Sequence, residues 1–195
     1  MLKLRLIRHP KPKVEAGVCY GATDLLAEED ALAAQLEACL LMPRPTLVLS
    51  SPLQRCSALA IALAARGWPE PVIDQDFAEM NFGEWEMQPW SKIERHQINA
   101  WAADISAYVP PGGESVQQVA ERALEAVHRQ WVKHHSVIEA LLNKEHDTPS
   151  VVLICHSGVI QGLGHALSGK SWREFKPLNL AYGEVKDVRV PRRHV

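Results

Sequence analysis

Three short apolar runs punctuate the chain, and longer stretches with apolar residues at helical spacing separate them. Leu2 to Ile7 alternates apolar and basic residues and predicts a strand that ends in Arg8-His9. Thr46 to Ser50 and Ser150 to Cys155 are continuous apolar runs, the pattern of strands buried on both faces. Glu28 to Leu41 and Pro52 to Arg66 predict helices, stopped by Pro43 and Gly67. Pro71 to Asp74 suggests a short strand, and Ser91 to Ala102 a helix. The Trp-rich stretch Phe77 to Trp90 has no clear period. Pro110-Pro111-Gly112-Gly113 is a loop, and Ser115 with Gln118 then forms a capping box. Val116, Val119, Ala120, Ala123, Leu124, Val127 and Trp131 share one face of the next helix, which the pattern carries to about Asn143. Ser157 to Leu167 predicts a last helix, and Leu178 to Val190 one or two strands. This order predicts one three-layer α/β/α domain over 1–195, with a mostly parallel central sheet.

Composition changes this picture little. Of 195 residues, 47% are apolar and 23% charged, and the net charge is −2. No block of like charge points to nucleic acid or an anionic membrane. The tail Arg189, Arg192, Arg193, His194 is basic but short. No run reaches the roughly 18–20 apolar residues of a membrane span. The first strand is too short and too charged for a signal peptide. Cys19, Cys39, Cys56 and Cys155 form no C-x-x-C pair and read as reduced thiols, which predicts a cytoplasmic protein.

Chemistry concentrates at the ends of the predicted strands. Arg8-His9 ends the first, Ser51 and Arg55 follow the second, and His156 follows the last apolar run. Ligands of open α/β sheets sit outside that edge. Ser51-Pro52 reads as N-cap and first helical residue, so Arg55 lies in the first turn and leans past the helix end. His156-Ser157-Gly158 opens another helix, whose N-terminus favours anions. Two guanidiniums added to that make a site for a dianion. Taken singly, each residue has a plainer reading as a structural histidine, a solvated arginine or a cap. Their convergence at one edge favours the anion site.

The chain resembles the histidine phosphatase superfamily, whose fold is phosphoglycerate-mutase-like. Leu6-Ile7-Arg8-His9-Pro10 is similar to the R-H-G signature, and Ser50-Ser51-Pro52-Leu53-Gln54-Arg55 to S-S-P-L-x-R. Glu79 to Glu86 is similar to E-x-x-F-G-x-W-E, Pro111 to Ser115 to P-G-G-E-S, and His156-Ser157-Gly158-Val159-Ile160 to H-G-G-V-I. The segment Cys19-Tyr20-Gly21-Ala22-Thr23-Asp24-Leu25 looks most like the α-ribazole phosphatase branch, which implies α-ribazole 5′-phosphate and cobalamin assembly. Three departures stand out. Pro10 replaces a Gly and removes a backbone N–H, Met87 replaces the Gly after W-E, and Ser157 replaces a Gly. The Thr and Asn that often follow the signature are absent, and Lys11-Pro12-Lys13 stands there instead.

The resemblance implies a phosphate-monoester hydrolase without metal or cofactor, monomeric or dimeric, acting on a small molecule. Neutral His9 is the implied nucleophile. Glu79 is the implied acid and then base, with Glu84 and Glu86 as neighbouring rivals. Arg8, Arg55, His156 and Ser157 would hold the phosphoryl oxygens. Tyr20, Gly21, Trp85, Trp90, Glu114 and Ser115 would border the substrate, although Trp85 reads equally well as core. A phosphatase for sugar phosphates or phosphoglycerates is the nearest alternative, a mutase a more distant one, and a non-catalytic phospho-ligand binder a third. His128, His134, His135 and His146 match no standard zinc-ligand spacing.

Overall fold

The computed structural model describes residues 2–134, 136, 151–176 and 178–191. The elements are β1 (Leu2–Arg8), α1 (Glu29–Leu40), β2 (Leu47–Ser50), α2 (Gln54–Ala65), β3 (Pro71–Ile73), α3 (Arg95–Ala103), α4 (Val116–Lys133), β4 (Val151–Cys155), α5 (Ser157–Ser168) and β5 (Val185–Val190). The predicted extension of α4 toward Asn143 and the histidines His135 and His146 lie outside the described residues. Three short 3-10 turns fill the stretch from Gln75 to Lys92, which explains its lack of a helical or strand period.

The strands form one sheet in the order β3-β2-β4-β1-β5. All neighbouring pairs are parallel except β1 with β5. Every residue of β2 and β4 is buried, as their continuous apolar runs predict. One core layer packs α4 and α5 against Leu4, Leu6, Leu49 and Leu153. The opposite layer packs α1 and α2 against Ile7, Val48, Val152 and Ile154. β5 is an exposed edge carrying Lys186, Asp187 and Arg189, charges that discourage edge pairing. Among the described residues, no helix is long and apolar enough to cross a membrane.

The capping box of Ser115 and Gln118 is present and starts α4. Ser51-Pro52 does not start α2. The helix begins two residues later at Gln54, and the Ser51 hydroxyl accepts from the Leu53 N–H at 3.3 Å. Arg55 remains in the first turn, so its lean past the helix end survives the correction. Met87, in place of the motif glycine, carries φ 62°, a left-handed conformation that costs a non-glycine residue strain.

Candidate active site

Parallel pairing brings the strand ends level. Arg8 stands opposite Cys155 and Ser50 opposite Ile154. The His9 N–H donates to the Cys155 carbonyl at 3.0 Å, so the two histidines that follow β1 and β4 become neighbours. Their ring centres lie 5.0 Å apart. Both are buried, His9 at 2% exposure and His156 at 0%.

The His9 ring is oriented by its own backbone. Nδ1 lies 2.6 Å from the Pro10 carbonyl, which can only accept, so Nδ1 carries the proton and Nε2 is left with its lone pair. Proline in place of the signature glycine loses an N–H but keeps this carbonyl. Burial, then the charge of Arg55 and more weakly of Arg8, pushes the His9 pKa down to about 3. Burial also holds His156 well below the ordinary imidazole range, helped by His9 and Arg55. His156 Nε2 contacts the Ser51 hydroxyl at 2.7 Å and Cys56 Sγ at 3.4 Å. His156, expected to help hold the phosphoryl oxygens, is therefore without positive charge in the free protein. The cations beside His9 are the two arginines.

Those arginines are held without carboxylates. Arg55 is fully buried and donates to the Thr23 carbonyl at 2.8 Å and the Gly21 carbonyl at 2.5 Å. Arg8 donates to the Leu180 carbonyl and stacks over the Tyr182 ring at 4.2 Å. Among the described residues neither makes an ion pair, and the Nε–H of each is buried without a hydrogen-bond partner. Burying an uncompensated charge is costly, so both guanidiniums lack the counter-charge that buried cations ordinarily carry; Arg8 lines the neighbouring cavity, while Arg55 and His156 sit behind its wall.

Glu79 lies in the same cavity as Arg8, His9, Tyr20, Ser157 and Gly158, whose volume is about 760 Å³. Its carboxylate accepts from the Met80 N–H at 2.9 Å and the Gly158 N–H at 3.0 Å. A Cβ on Gly158 would stand 2.3 Å from Glu79 Oε1. Gly158 is thus the residue that lets the carboxylate dock on the start of α5. Gly158→Ala is expected to keep the fold and lower kcat by roughly ten- to a hundredfold by displacing Glu79, since misplacement of about 1 Å can cost that much. Kinetics alongside circular dichroism check it; unchanged kcat refutes it.

The rival acids separate cleanly. The Glu86 carboxylate accepts from the backbone N–H groups of Gly21, Ala22, Thr23 and Phe82 and from the Thr23 hydroxyl. Although burial raises its pKa, these bonds together lower it below the usual carboxylate value. Glu86 therefore builds the Gly21–Thr23 turn whose carbonyls anchor Arg55. Glu84 is exposed and does not line the cavity.

Several expected substrate contacts lie elsewhere. Trp85 is 2% exposed, donates to Gln97 at 2.8 Å and stacks on Tyr108, so its core reading is the one that holds; Trp90, also expected at the substrate, lines the cavity together with Trp101. Glu114 is paired with Arg122 at 2.7 Å and accepts from the Asn81 N–H. Ser115 is the buried cap of α4. Gly21 serves Arg55, and a Cβ there would meet the Met80 carbonyl at 1.9 Å. Lys11 pairs with Glu28 at 2.7 Å on the surface. Two contributors escaped the sequence reading. Arg122 donates to the carbonyls of Asp76, Ala78 and Glu79 and fixes the Glu79 segment. Tyr182, 5.6 Å from the His9 ring and hydrogen-bonded to Tyr20 at 2.7 Å, covers Arg8. An arginine on a helix face and a tyrosine in a loop carry no local signal of either role.

The depressed histidines make stability depend on pH. Each is neutral when folded and has the ordinary value of about 6.5 when unfolded. Their contribution is complete above that value and is lost as pH falls toward the folded pKa. Between pH 6.5 and 5.5 each should cost about 1 kcal/mol of unfolding free energy. Denaturant titrations should show this decline, and His9→Ala should show about half of it. A flat profile would contradict neutral burial of these rings.

A mostly parallel α/β sheet with a neutral buried imidazole, two guanidiniums without carboxylate partners and a docked carboxylate at its carboxyl edge is an arrangement that suits phosphoryl chemistry. The sequence pattern of the histidine phosphatase superfamily (branch 1) matches residues 4–194, and the chain belongs to that family and is a phosphatase. It is 32% identical over 175 residues to a glucosyl-3-phosphoglycerate phosphatase of Mycolicibacterium vanbaalenii, covering 86% of this chain and 74% of the relative. A metal-independent phosphoserine phosphatase of Arabidopsis thaliana is 26% identical over 62% of this chain and 48% of its own length. Among solved structures, the complex of a mycobacterial glucosyl-3-phosphoglycerate phosphatase with inorganic phosphate is similar at a TM-score of 0.73 and 26% identity. That match covers 86% of this chain and 79% of the other.

Proposed function

We propose that the chain hydrolyses small-molecule phosphate monoesters by two in-line displacements, with His9 as the nucleophile. The observation that carries this reading is the free Nε2 of a neutral His9 beside two guanidiniums with no carboxylate partner. Nε2 attacks phosphorus and forms a phosphohistidine. Arg8 and Arg55, with the N-terminus of α5 at Ser157, stabilise the oxygens as charge shifts. A bound dianion restores the conditions for His156 to hold a proton and join them. Glu79 protonates the departing alkoxide, then deprotonates the water that attacks the phosphohistidine.

The substrate class follows the relatives better than the Cys19–Leu25 segment. The relatives named above are glucosyl-3-phosphoglycerate phosphatases and a phosphoserine phosphatase. They favour a sugar phosphate or phosphoglycerate monoester over α-ribazole 5′-phosphate. A phosphomonoester panel with rapid acid-avoiding quench tests the reading. It expects inorganic phosphate release and an acid-labile phosphoryl label on His9. Turnover with no such label would refute the covalent route.

A further inference from the structure

A phosphoryl group fills only a small part of a cavity of about 760 Å³, a size that encloses whole small molecules. The remainder is bordered by segments far apart in sequence: Trp90 and Trp101 around α3, Ile105 just after it, and Trp172 and Phe175 after α5. Trp90 and Trp101 stack with ring centres 5.6 Å apart and planes inclined by 17°. Trp172 meets Phe175 edge-on at 6.1 Å. Beyond Arg8, His9 and Glu79, the only charged residues lining the cavity among the described residues are Asp104 and Arg173, one of each sign. Hydrogen bonds from Ser106 and Ala107 hold Asp104 ionised, and the nearby Arg173 adds to this. Among the described residues, no ion pair joins Arg173 to Asp104, but the two opposite charges are near each other, so once Arg8 engages the phosphoryl group this end carries no net positive charge for a second anion on the substrate.

We infer that this end of the cavity is a leaving-group subsite for an uncharged ring, with Trp101 as a specificity-determining residue, and that it disfavours alcohols bearing a second negative charge. The inference rests on the phosphatase reading of His9 and narrows the substrate class to its sugar-phosphate side, away from phosphoglycerate and other carboxylate-bearing esters. Rings supply flat apolar area that indoles cover well, and burying a six-membered ring strengthens binding about tenfold or more.

Calorimetric titration of phosphonates reads the subsite without turnover. Benzylphosphonate should bind at least about tenfold tighter than ethylphosphonate, and 3-phosphonopropionate no tighter than ethylphosphonate. Trp101→Ala should cut the benzyl-to-ethyl ratio roughly fivefold or more. Asp104→Asn, which keeps an acceptor for Ser106 and Ala107, should tighten 3-phosphonopropionate about threefold by freeing the Arg173 charge. Equal binding of the benzyl and ethyl compounds, or tightest binding of the carboxylate, overturns the inference. If Trp101→Ala fails to fold, the wild-type series and Asp104→Asn still decide. Hydrolysis of benzyl phosphate and glucose 6-phosphate beside ethyl phosphate tells an aryl from a sugar ring; preference for either supports the subsite. Ring-selective phosphonate binding without any hydrolysis would sink the catalytic reading and leave the subsite standing.

Discussion

His9→Ala should lower kcat by at least roughly 10⁴-fold, about 5.5 kcal/mol of transition-state stabilisation, with the fold retained. The loss is this large because no neighbouring group can replace Nε2. The other imidazole at the strand ends, His156, has its Nε2 on the Ser51 hydroxyl and is fully buried, so it cannot take over the attack. Water could attack the phosphoryl group in its place, but without the proximity that a fixed nucleophile provides. Phosphate should still bind the variant, because Arg8 and Arg55 keep their carbonyl anchors. Steady-state rates, phosphate binding and a label-trapping experiment check these points together. A variant that still releases phosphate within tenfold of the parent would remove His9 from the chemistry.

Glu79→Gln should lower kcat by roughly 10²- to 10⁴-fold on alkyl phosphates and much less on p-nitrophenyl phosphate. An alkoxide leaves slowly unless it is protonated, whereas nitrophenolate leaves without help. The amide oxygen can still accept from the Gly158 N–H, although the Met80 N–H on the other oxygen loses its acceptor, so the side chain keeps its link to α5 while losing its titratable proton. The variant should therefore show a sharp split between leaving groups, which a purely structural role would not produce. With the activated ester, the later step limits turnover, so phosphohistidine should accumulate in the variant. Equal losses on both esters would mean that Glu79 only shapes the cavity, and Glu84 or solvent would need reconsideration.

Much of this is legible in the sequence. The apolar runs at 46–50 and 150–155 marked buried strands, and the polar residues that follow them fell at one sheet edge. That rule depends only on the parallel direction of the strands, which short-range pattern and element order already imply. It brings Arg8, His9, Arg55 and His156 together but says nothing of what Pro10 does. The carbonyl of Pro10 then proved to set the His9 tautomer.

Much of what the sequence leaves open lies in one region. Phe77 to Trp90 has neither period, because it folds as short 3-10 turns, and its side chains point where long-range contacts send them. Glu86 is drawn to the amides of residues 21–23, more than sixty positions away. Arg122 fixes the Glu79 segment across more than forty. Trp85 packs on Tyr108 while Trp90 and Trp101 take the cavity wall.

Local order along the chain was enough to say which elements form and which strand ends carry charge and imidazole, because helix and strand periods are properties of neighbouring residues. Which carboxylate meets the cavity, which indole borders it and how the arginines are held were decided by folding. Those choices depend on hydrogen bonds and packing between segments that the chain's order does not bring near one another.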